Sequence, residues 1–140
     1  TWNSSHPTPC SSWVGVQCHP RHQFFVVSLN LSGYGISGQL GPEISRLYHL
    51  TVLDLSFNAF SSSIPSQLGN STRLQHLDLS SNNFTGRLPL GLGNLYRLSY
   101  LSLYDNSLTG TLPRSLFSIP ALLTVYLSTN RLTGTIPSNV

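Results

Sequence analysis

No lysine and no methionine occur in the 140 residues, and charged side chains make up only 8% of them. Seven arginines against four acids leave a net charge of +3. Charges so few and so scattered exclude the dense basic patch that a nucleic-acid partner requires. Long apolar runs are missing as well. Nothing approaches the ~18 consecutive apolar residues of a spanning helix, so membrane attachment would need a span outside this chain. The polar start at Thr1 has no signal-peptide pattern, and a secreted form would have had one removed. No GxSxG, HExxH or phosphate-loop motif appears, and no catalytic residue, metal site or cofactor is expected.

Cysteine is scarce too. Cys10 and Cys18, in PCSSWVGVQC, are the only two, with seven residues between them. That spacing fits neither a CxxC redox pair nor a zinc knuckle. A disulfide closing the short loop would contribute roughly 2 to 3 kcal/mol in an oxidising compartment. Four N-x-S/T sequons, at Asn3, Asn30, Asn70 and Asn83, point to the same compartment. Secretion or display at the cell surface is therefore expected. His6, His19 and His22 lie near Cys18 in sequence, but a disulfide sulfur is not a thiolate ligand, and a metal cluster is not expected.

What is present is 39% hydrophobic residues, enough for the core of one domain. One local motif invites a cofactor reading. Gly33, Gly35 and Gly38 spell GxGxxG after the strand-like VVSLNLS, and Asp54 ends another strand-like run where a ribose-binding acid could stand. A dinucleotide unit also needs a long helix after the last glycine, and Pro42 occupies that stretch.

The internal period gives the glycines another explanation. Asn58, Asn82, Asn106 and Asn130 are spaced 24 residues apart. Leu50, Leu74, Leu98 and Leu122 keep the same step, as do Leu53, Leu77, Leu101 and Val125, and Leu55, Leu79, Leu103 and Leu127. The unit is LxxLxLxxNx(L/F), followed by TGxLP or TGxIP with local variation. Each LxL run is a short strand unable to bury its apolar face alone, so successive coils must stack in parallel. The Asn turns inward, where its amide satisfies backbone groups freed by the bend. Gly and Pro then permit an extended return across the back, where the missing Pro donor is needed by no ladder. In this register Gly38 is the repeat glycine and Tyr34 takes the slot of the Asn, so the first coil lacks one link of the amide ladder.

These residues, most clearly LTGTLP at 108–113 and LTGTIP at 132–137, resemble the plant-specific 24-residue class of leucine-rich repeats. Trp2 and PCSSWVGVQC are similar to the cysteine-paired N-terminal cap of plant receptor-like kinases and receptor-like proteins. The run through SGQLGPEI most resembles the receptor kinases that perceive endogenous danger peptides. The resemblance implies an α/β leucine-rich repeat solenoid, curved, with short parallel strands on the concave face and 3-10 or extended turns on the back. It implies a cap over residues 1–25 and five repeats at 26–49, 50–73, 74–97, 98–121 and 122–140. The fifth stops after 19 of 24 residues, which reads as a truncated or fragmentary chain.

The implied function is extracellular recognition of a peptide or protein ligand, in defence or development. A shorter co-receptor of the same class would join, with the span and kinase in parts of the protein outside this chain. A free-standing secreted repeat protein, such as an inhibitor of cell-wall hydrolases, is the alternative. Side chains beside the inward leucines face the concave surface. The expected ligand-facing set is Asp54, Phe57, His76, Asp78, Tyr100, Tyr104, Asp105 and Tyr126. All three Asp fall on this face, whereas the seven Arg are expected in the cap, loops or back. A locally acidic and aromatic surface would suit a ligand with basic and apolar groups. Asp54 beside Asp78, roughly 5 Å away on the next strand, is expected to cost a little stability.

Overall fold

The computed structural model describes residues 9–136; Trp2, the sequon Asn3, His6 and Pro137 lie outside the described residues. A short helix, α1 (Pro9–Ser12), leads into an antiparallel hairpin of β1 (Val16–His19) and β2 (His22–Asn30). The Cys10–Cys18 disulfide ties α1 to β1, with Cα atoms 5.5 Å apart. β2 runs unbroken across positions 25 and 26, so the cap and the first coil share one strand.

From β2 onward the concave sheet is parallel. It adds β4 (Val52–Asp54), β6 (His76–Asp78), β8 (Tyr100–Ser102) and β10 (Thr124–Tyr126). The register is the sequence period: Leu29, Leu53, Leu77, Leu101 and Val125 pair in one row. Leu53, Leu77 and Leu101 are fully buried, and the flanking leucine rows complete the core between the two sides of each coil.

A second sheet departs from the expected unladdered return. β3 (Ser37–Gln39), β5 (Ala59–Ser63), β7 (Asn83–Arg87), β9 (Ser107–Thr111) and β11 (Arg131–Thr133) form a five-stranded parallel ladder. Its partners are 22 residues apart, as in Ser61 with Asn83, Thr85 with Ser107 and Thr109 with Arg131. Each strand is thus staggered by one two-residue pleat against the repeat, which keeps the same side chains outward. Pro65, Pro89 and Pro113 fall just beyond these strands and precede the 3-10 turns at Ser66–Asn70, Leu90–Asn94 and Arg114–Ser118. The ladder loses no donor to them.

The corner between the two sheets is held by the Asn row. Asn82 Nδ2 donates to the carbonyls of Leu55, Leu79 and Ser80 at 2.9, 3.2 and 3.0 Å, while its Oδ1 accepts from Phe60 N at 3.0 Å. Asn58, Asn106 and Asn130 repeat the pattern one coil apart. Tyr34 does not enter this row: its side chain is half exposed, and the Leu31 carbonyl beside it accepts from Asn58 instead.

The glycines of the apparent GxGxxG motif follow from the same geometry. Gly33 shares its column, and a positive φ, with Phe57, Ser81, Asp105 and Thr129. Gly38 shares a second such column with Ser62, Gly86, Gly110 and Gly134. Ser62, at φ 66°, is the one member of that column carrying a Cβ. Left-handed backbone costs an L side chain roughly 1–2 kcal/mol, partly offset by the greater unfolded-state entropy of glycine. Ser62→Gly is therefore expected to raise stability by about 0.5–1 kcal/mol, read as a later denaturant midpoint with unchanged slope.

Candidate ligand-binding face

The strands that bury Leu53, Leu77 and Leu101 necessarily turn their alternate residues to the concave surface. His76, Tyr100 and Thr124 form one column across β6, β8 and β10; Asp54, Asp78, Ser102 and Tyr126 form the next. Cross-strand stacking makes the first column rigid. The His76 and Tyr100 rings lie 4.2 Å apart and 2° from parallel, and Tyr126 meets Tyr100 edge-on at 5.9 Å. Such arrangements hold aromatic surface in place without costing the ligand any ordering.

The two register-paired carboxylates are each tied down locally. Ser56 N and Oγ donate to Asp54 Oδ1 at 3.0 and 2.7 Å, and Ser80 N and Oγ to Asp78 Oδ1 at 2.9 and 2.6 Å. The second oxygens meet donors from neighbouring coils. Asn30 Nδ2 donates to Asp54 Oδ2 at 3.1 Å, and Tyr100 Oη to Asp78 Oδ2 at 3.4 Å. These donors, absent from any reading of the spacing alone, offset the like-charge contact between Asp54 and Asp78. Burial first, and the Asp78 charge next, raise the Tyr100 phenol above its ordinary value. It therefore stays a neutral donor throughout the physiological range.

The remaining expected residues lie at the strand exit. Tyr104 is exposed, whereas Ser56 and Ser80 in its column are buried beneath their Asp partners. Phe57 and Asp105 occupy the left-handed column, and Phe57 is 66% exposed. Its φ of 53° is the backbone conformation of the whole column, so it presents an exposed aromatic ring at the strand exit as a consequence of the repeat. The structure thus gathers His76, Asp78, Tyr100 and Tyr126 into one patch, adds Asp54 through the carboxylate row, and leaves Phe57, Tyr104 and Asp105 along its edge.

The arginines are less confined than the sequence reading placed them. Arg87 and Arg131 lie in strands of the second sheet, not in the cap, loops or back. Of the sequons, Asn30, Asn70 and Asn83 are all exposed. Asn70 ends a 3-10 turn on the back and Asn83 begins β7, while Asn30 ends β2, with its amide nitrogen bonded to Asp54. Among the described residues, no group of three or more His, Cys, Asp or Glu is placed to hold a metal ion.

Residues 49–71, 73–95 and 97–119 match the Leucine Rich Repeat family. A receptor-like protein kinase of Ipomoea nil is 62% identical over 50 residues, which are 36% of this chain and 4% of that protein. The crystal structure of PEPR1 with AtPEP1 matches with a TM-score of 0.89 at 52% identity, over 98% of this chain and 19% of that one. The ectodomain of the Arabidopsis receptor kinase HAESA, solved with an N-terminally extended IDA peptide hormone ligand, matches with a TM-score of 0.83 at 30% identity, over 97% and 24%. This chain therefore spans only a small part of the length of each of these three proteins.

Proposed function

The chain belongs to the leucine-rich repeat family of plant receptor-kinase ectodomains, and on that premise we propose that it is a capped recognition module at the N-terminal side of such an ectodomain, binding an extracellular peptide on its concave face. The observation that carries the reading is the ordered patch of His76, Tyr100 and Tyr126 beside Asp54 and Asp78. Stacked rings supply desolvated contact area, and the carboxylate row supplies charge for a basic side chain of the ligand. The Cys10–Cys18 disulfide and the exposed sequons support an extracellular location. In this role the cap covers the first coil, the kinase and membrane span belong to other parts of the receptor, and a shorter co-receptor of the same repeat class joins the complex.

The test is titration of AtPEP1, the partner seen with PEPR1, and of a panel of secreted basic peptides, into the intact ectodomain. Tyr100→Ala is expected to weaken binding at least ~10-fold, about 1.4 kcal/mol, while Thr109→Ala on the second sheet leaves it unchanged. Equal affinity of the Tyr100→Ala variant and the parent for a peptide that binds would refute the assignment.

A further inference from the structure

A second surface runs along the opposite side of each coil from the second sheet, where the chain turns from the back into the next concave strand. Leu50, Leu74, Leu98 and Leu122 N–H groups donate to the carbonyls of Leu47, Ser71, Leu95 and Ile119 at 3.0, 2.9, 2.8 and 3.3 Å. Four successive turns result, with Tyr48-His49, Thr72-Arg73, Tyr96-Arg97 and Pro120-Ala121 at their tips. Arg73 and Arg97 are exposed, Tyr48 is 70% and Tyr96 50% exposed, and the Arg97 guanidinium sits 5.5 Å over the Tyr96 ring.

The row continues into the cap. His49 stacks on Phe25 at 4.0 Å, Phe25 meets His22 at 5.4 Å, and His22 meets His19 at 5.2 Å. Exposed Arg21 and Arg46 flank it, and a cavity of about 170 Å³ between Phe24–Val26 and Arg46–His49 closes that end. Four of the seven arginines thus belong to this side. Its one nearby acid is Glu43, whereas Asp54, Asp78 and Asp105 lie on or beside the concave strands.

We propose that this row binds a linear acidic polysaccharide carrying one carboxylate per sugar, a uronate chain. His49, Arg73 and Arg97 hold the same position in three successive turns, at a step of about 5 Å, close to the advance of one pyranose unit along a chain. Arg73 and Arg97 take carboxylates through the guanidinium fork, and the Tyr48 and Tyr96 rings offer flat apolar faces to the sugar C–H groups. The row is open and shallow, as a polymer track must be, with a cavity at the cap end sized for a terminal ring.

The experiment titrates the full 140-residue chain with an oligogalacturonate of about ten units, the same oligomer with its carboxyls reduced, and poly-L-glutamate, at about 50 and 150 mM salt. The oligogalacturonate is expected to bind, more weakly at the higher salt, and the reduced oligomer not to bind. Arg73→Gln with Arg97→Gln should lose at least ~10-fold in affinity, and Arg114→Gln with Arg131→Gln, which removes the same charge elsewhere, less than about twofold. Absence of oligogalacturonate binding overturns the proposal. So does equal loss in both double variants, which indicates diffuse net charge. Poly-L-glutamate binding as tightly overturns it in favour of an acidic protein segment.

Discussion

Asn82→Ala is expected to lower the unfolding free energy by about 2–4 kcal/mol, a large effect for a single polar substitution. Phe60 N–H loses its acceptor, and the carbonyls of Leu55, Leu79 and Ser80 each lose one of two donors, keeping Asn58, Asn106 and Phe57 N–H respectively, in a coil where Asn82 itself is only 8% exposed. The orphaned N–H costs roughly 1–3 kcal/mol and each lost bond to a carbonyl about 0.5–1.5 kcal/mol, with relaxation and entering water recovering part of the sum. Asn82→Asp, nearly isosteric, should cost about as much, because it removes the donors and sets a carboxylate among carbonyls. Asn130→Ala, in a less buried coil, should cost only about 1–2 kcal/mol. Urea unfolding of the three variants checks the order; a harmless Asn82→Asp would mean that side-chain volume and not hydrogen bonding holds the corner.

Phe84→Ala is expected to cost about 3–5 kcal/mol through the cavity it leaves. Phe84 is fully buried and stacks in parallel with Phe60 of the preceding coil, ring centres 6.1 Å apart. Leu108 and Leu132 hold the equivalent positions further along, so the site accepts a smaller branched side chain. Phe84→Leu should accordingly lose less than about 1.5 kcal/mol. Because coils stabilise one another only through nearest neighbours, a break at this central coil should also separate the melting of the two flanks. Calorimetry reads both effects, and a single sharp transition for Phe84→Ala at the parental temperature would contradict this description of the core.

The leucine rows and the Asn row were legible because each serves one invariant need: a buried apolar contact, or an inward amide with both donors and an acceptor. The second sheet was not. Its strands carry at most one large apolar residue, such as Phe60, Phe84 or Leu108, and β3 carries none, among Ser, Thr and Gly, so no alternation marks them as strands. Asp54 and Asp78 were legible as a column on the concave face, but not as acceptors for Ser56 and Ser80, since that bond depends on how the chain leaves the strand. Ser71 shows a similar limit. It occupies the core column of Leu47, Leu95 and Ile119 with its hydroxyl buried and unpartnered, a cost that periodicity alone does not reveal. The ring contacts of His19, His22, Phe25 and His49 join the cap to a loop of the next coil, and no local pattern encodes such a meeting.

Six tyrosines divide cleanly between the concave face and the rest of the molecule, which makes them reporters of where a ligand sits. With the intact ectodomain labelled with 3-fluorotyrosine, fluorine NMR during addition of a peptide that binds is predicted to shift the Tyr100, Tyr104 and Tyr126 signals. Tyr34, Tyr48 and Tyr96 should stay in place. Shifts confined to those three, or no shift at Tyr100 and Tyr126 when the ligand is saturating, would contradict the concave face of these coils as the site of recognition.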